Sequence, residues 1–122
     1  MTVATVWAPR DLAEIDVRVI IGGGFNEELL GSAYHAVVHR LRERTEAYLD
    51  VLEHRILPQL DDVGLASTYI ATLLRLAKLD DPNRVRKLAL ELRERTALAL
   101  LRTKRTSLRL QTRYAEFDQL TQ

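Results

Sequence analysis

A chain of 122 residues suffices for one domain with a modest core, and 47% hydrophobic with 29% charged residues excludes an intrinsically disordered protein. With no cysteine it holds neither a disulfide nor a thiolate metal site, and no apolar run approaches the roughly 20 residues that span a bilayer. The net charge of +1 hides a division: residues 1–62 carry 11 acids against 6 bases, and residues 63–122 carry 6 acids against 12 bases.

Residues 1–24 differ from the rest and read as an extended, partly β-prone N-terminal arm. Ile15, Val17, Val19 and Ile21 alternate with Asp16, Arg18 and Ile20, the period of a strand. Gly22, Gly23 and Gly24 end it. A single strand makes no stable sheet, so the arm is expected to pack on a helical body, to pair with a strand of another chain, or to stay mobile. The first residues lack the order of a secretory signal, and the expected address is cytoplasmic.

From residue 25 onward the pattern is helical. Asn26 is placed to cap a first helix in which Leu30, Tyr34, Val37, Leu41, Tyr48, Leu52, Ile56 and Leu60 form a buried stripe, with Pro58 near its end. A shorter helix, about Leu65 to Leu79, is apolar over most of its surface and belongs at the centre of the core. Asp80 or Asp81 then caps a third helix that starts at Pro82. Its stripe runs through Val85, Leu88, Leu92, Ala99, Leu110, Tyr114, Phe117 and Leu120. The expected fold is therefore all-α, a bundle of three helices behind the arm, or of four if the third helix breaks.

Helix lengths favour the unbroken form. At 1.5 Å per residue a third helix of up to about 60 Å overshoots its neighbours. Everything after about residue 96 then projects, still carrying Leu101, Leu108, Leu110, Tyr114 and Phe117, which are assigned to an interface. The alternative is a break between Thr103 and Ser107 that folds the last helix back, but that stretch has neither Gly nor Pro.

The same region has the strongest chemical signal in the chain. Between Arg95 and Ala115 there is no acid, and Arg95, Arg102, Arg105, Arg109 and Arg113 would share an arc of roughly 80° on a continuous helix. Such a stripe suits the RNA or DNA backbone, where neutralised phosphates release counterions. It equally suits an acidic protein surface such as Glu43, Glu46, Asp50 and Glu53. It lacks aromatic stacking platforms and any sequence-reading motif.

Other constellations are weak. His35, His39 and Glu43 share a helix face but lack the glutamate of the HExxH pattern, so no metal site is assigned. The triglycine resembles a phosphate loop without its GxGxxG or Lys-Ser, and Glu27 and Glu28 would repel a phosphate. Ser32, Ser67 and Ser107 have no base partner, and Asp61, Asp62, Asp80 and Asp81 are accounted for as caps. Neither a catalytic set nor a cofactor is assigned, and a membrane surface is not favoured as a partner. The expectation is a non-enzymatic assembly or adaptor subunit, as a homo-oligomer or within a larger complex. The alternative is a sequence-independent nucleic-acid-binding subunit.

Overall fold

The computed structural model describes residues 9–21, 32–103 and 107–122, and among them every regular element is helical, with no strand. Helix α1, Pro9–Val19, occupies the stretch read as an arm. Its buried positions are Ala13, Asp16, Val17 and Ile20, spaced three and four apart, while Ile15 and Val19 are exposed. The strand expected over Ile15–Ile21 is thus corrected to a helix continued by a π-turn at Ile20 and Ile21. β-branched composition favours a strand only where a sheet is present to receive it. Here α1 satisfies its own backbone hydrogen bonds and buries one face, so packing overrides propensity. The proposed boundary at residues 24 and 25 and the Asn26 cap lie outside the described residues.

The expected first helix is a broken rod. Helix α2, Ser32–Glu43, stops at Arg44 (φ −137°, ψ 42°), and α3, Thr45–Val51, resumes. Thr45 Oγ1 donates to the Leu41 carbonyl at 2.9 Å, a back-bond that commonly bends helices. The rod then widens to a π-turn over Leu52–Ile56 and tightens to a 3₁₀ turn over Leu57–Gln59. Pro58 explains the ending, since its ring would strike the carbonyl four residues back in a regular helix. The stripe Val37, Leu41, Tyr48, Leu52 and Ile56 is buried as expected.

Side-chain caps set the remaining boundaries. Asp61 accepts from Gly64 N (2.8 Å) to start α4, Asp62–Leu65, and Ser67 from Tyr69 N (3.3 Å) to start α5, Thr68–Ala77. Asp81 accepts from Arg84 N at 3.2 Å to start α6, Pro82–Arg102. Helix α5 is central: Ile70, Ala71, Leu73, Leu74 and Ala77 are all buried, and it packs on α2, α6 and a final helix, α7, Leu108–Leu120.

The third helix is not continuous. Helix α6 ends at Arg102, where Thr103 N donates to the Ala99 carbonyl, and α7 begins after Ser107, whose Oγ accepts from Leu110 N at 3.2 Å. Helix α7 folds back along α6 as an antiparallel hairpin. The overshooting helix is therefore corrected, and energetics give the reason. Folding back buries Leu110, Phe117 and Leu120, each worth roughly 1.5–3 kcal/mol. A helix break opposes this with a few lost backbone bonds, partly offset by a Ser cap worth about 1 kcal/mol. Burial wins without Gly or Pro.

Candidate interaction surface

Helix α6 has three differently used sides. Val85, Leu88, Ala89, Leu92, Thr96 and Ala99 are buried in the core, and Thr96 satisfies its hydroxyl on the Leu92 carbonyl at 2.7 Å. A second side carries Arg84, Arg95 and Arg102, at helical intervals of 11 and 7 residues. All three are engaged by the first half of the chain. Arg84 reaches Asp50 and Glu53. Arg95 donates to the carbonyls of Leu57 (2.6 Å) and Leu60 (3.0 Å), covering the open end of the rod where the helix dipole is negative. Arg102 forks onto both oxygens of Asp62. Burial opposes the Arg84 charge, but its carboxylate partners outweigh that and raise its pKa; Asp62 does the same for Arg102.

This seam disperses the arginine stripe. With the helix broken, Arg95 and Arg102 stand on α6, Arg109 and Arg113 on α7, and Arg105 lies outside the described residues. Arg109 is exposed. Arg113 is mostly buried, 3.0 Å from Glu116 Oε1 in an ionic contact whose angle falls short of a hydrogen bond; Arg75 Nη1 donates to the other oxygen of Glu116 at 3.3 Å. The acidic partners expected for the stripe exist, but Arg84, outside it, meets Asp50 and Glu53.

The third side of α6 faces solvent. Leu90, Leu98 (56% exposed) and Leu101 (59%) lie on it with Glu94, and Leu108 (76%) opens α7 just past the turn. Of the residues assigned to an interface, Leu101 and Leu108 are therefore on the surface. Leu110 and Phe117 are core residues of the hairpin, and Tyr114 is half-buried. Fold-back is the reason: the α7 face that would have projected toward a partner meets α6 and α5 instead.

A buried polar cluster escaped the sequence reading. Asp16, 4% exposed, accepts from Arg40 Nε at 2.8 Å and Nη2 at 2.9 Å, and from the Tyr48 hydroxyl. Burial, then the bond to Asp16, raises the Tyr48 pKa, and Asp16 raises that of Arg40. Nearby, Arg55 and then Arg18 hold the Glu14 carboxylate below its usual value of 4.5. Together these contacts fasten α1 to the rod. The available signal was helical: Asp16 sits on the apolar face set by Ala13, Val17 and Ile20, and a carboxylate there demands partners.

The remaining candidates resolve simply. His39 pairs with Glu43 at 2.7 Å on the exposed surface, and among the described residues no group of three His, Cys, Asp or Glu is gathered to hold a metal. A groove of about 420 Å³ runs along α3, lined by Arg44, Ala47, Asp50, Val51, His54 and Arg55. Its Asp50 and Arg55 are committed to Arg84 and Glu14. Among the described residues no helix is long and apolar enough to cross a membrane. No family model, curated protein or solved structure matches this chain.

Proposed function

We propose that the protein is a non-enzymatic helical assembly subunit that docks against another protein chain through the outer side of α6. The observation that carries this reading is the exposure of Leu90, Leu98 and Leu101 on one side of a helix whose other sides are already occupied by the core and the arginine seam. Single exposed leucines are ordinary; three along one helix face form the kind of patch that marks a contact. The engagement of Arg95 and Arg113 within the chain supports a protein partner over a polyanion.

The test compares the wild type with the double variant Leu98→Gln, Leu101→Gln. The hydrodynamic mass of the purified chain, and of the tagged chain in its own cell extract, is measured for both. An assembly larger than the monomer, lost in the variant while helicity is kept, supports the reading. Monomer mass in both settings refutes it. Salt-sensitive RNA or DNA binding that is lost on Arg109→Ala would favour the nucleic-acid subunit instead.

A further inference from the structure

We infer that the partner on this side of α6 is a second copy of the chain, packed antiparallel about a two-fold axis that passes beside Leu98. The inference rests on the assembly reading above and goes further by fixing occupant and register. The argument is charge placement. Glu94, Leu98 and Arg102 form one i, i+4 row on α6, with an acid four residues before the leucine and a base four residues after it. Each lies about 6 Å along the axis from Leu98. A two-fold axis reverses the row, so it sets Leu98 against its own copy and brings Glu94 of each chain level with Arg102 of the other. The surface is thus complementary to itself, as an isologous contact requires. A parallel copy in the same register would oppose Glu94 to Glu94 and Arg102 to Arg102.

The neighbouring groups agree. Leu101, on the same exposed side, falls between the partner's Leu98 and Glu94 levels and adds apolar contact at the centre. Glu94 and Arg102 are both more than half exposed; their existing contacts, Glu94 with Arg93 and Arg102 with Asp62, lie at the rim and leave lone pairs and N–H groups for a second partner. Rows of i, i+4 residues from two helices interlock at a crossing angle of about −50°. That crossing confines the contact to roughly two turns on either side of Leu98, so the dimer is expected to be small and weak.

Sedimentation velocity of the intact chain from about 1 µM to about 1 mM tests this. The wild type should pass from monomer to dimer. Glu94→Arg, Arg102→Glu and Leu98→Lys should each remain monomeric, with helicity checked by circular dichroism. The decisive arm is an equimolar mixture of Glu94→Arg and Arg102→Glu chains. Every cross-axis pair then again holds one arginine and one carboxylate, and dimerisation should return to within about tenfold of the wild type. The double variant Glu94→Arg, Arg102→Glu should dimerise alone.

A monomeric wild type throughout the range overturns the inference. If the tagged wild type, but not Leu98→Lys, then sits in a larger complex with a different protein, the face has a foreign occupant and the assembly reading stands. A wild-type dimer that the charge reversals leave unchanged also overturns the inferred register. If that dimer is still lost in Leu98→Gln, Leu101→Gln, the assembly reading survives.

Discussion

Replacing Phe117 by alanine measures how much the hairpin of α6 and α7 contributes to stability. Phe117 is fully buried between helices that pack only because the chain turns back after Arg102. Truncating a buried phenylalanine removes its transfer free energy and leaves a cavity, a loss of about 3–5 kcal/mol. With an unfolding entropy of about 2.1 cal/mol/K per residue over 122 residues, each kcal/mol lowers Tm by roughly 4 °C, so a fall of about 12–20 °C is expected. Had the helix continued straight, Phe117 would project into solvent. The same change would then be neutral, or stabilising by up to about 0.7 kcal/mol through helix propensity. Leu108→Ala is the matched control, because Leu108 is exposed on the same helix and should shift stability by less than about 0.5 kcal/mol. Urea unfolding at low micromolar concentration, followed by circular dichroism, reads both. A loss below about 1 kcal/mol for Phe117→Ala, or equal losses for the two variants, would refute the fold-back. Should Phe117→Ala not fold, Phe117→Leu should cost about 1–1.5 kcal/mol and serves in its place.

Asp16→Ala should destabilise by about 2–4 kcal/mol, toward the lower end because the Arg40 guanidinium it orphans can partly reach water. Tyr48→Phe should cost about 0.5–1.5 kcal/mol; urea midpoints check both, and unchanged midpoints would sink the role given to this cluster in fastening α1. The Glu14 carboxylate has a lowered folded-state pKa, so its contribution is present above the usual 4.5 and disappears as pH falls through the lowered value. Wild type and Glu14→Gln should therefore differ in unfolding midpoint at neutral pH and converge in acid. Tyr48 has the opposite sign: its phenol pKa is raised from 10, so its contribution is present below pH 10 and is lost as pH rises toward the folded value. In an alkaline titration followed by phenolate absorbance, Tyr48 should ionise only with unfolding, a step absent from Tyr48→Phe.

Much of the helical body was legible in the sequence because local rules decide it. The 3.6-residue stripe of Val37, Leu41, Tyr48, Leu52 and Ile56, the apolar α5, the terminating Pro58 and the Asp81–Pro82 start all depend on side chains a turn or two apart. The same periodicity placed the chain among all-α proteins from residue 25 onward. Tertiary structure decided three other matters. Ile15 to Ile21 alternates like a strand, yet nothing local says that the described residues hold no sheet to receive it; the surface of α3 selects the helical face Ala13, Val17 and Ile20. The break after Arg102 contains Thr and Ser and neither Gly nor Pro, so it reads as a breaker only once the buried Phe117 and Leu110 supply the free energy. The arginines read as a shared stripe belong to different partners, because charge pairing depends on which carbonyls and carboxylates the fold brings within reach. Arg95 meets Leu57 and Leu60, and Arg102 meets Asp62, across nearly 40 residues of chain. Periodicity fixes which residues seek burial or charge; the long-range free energy of packing fixes what they meet.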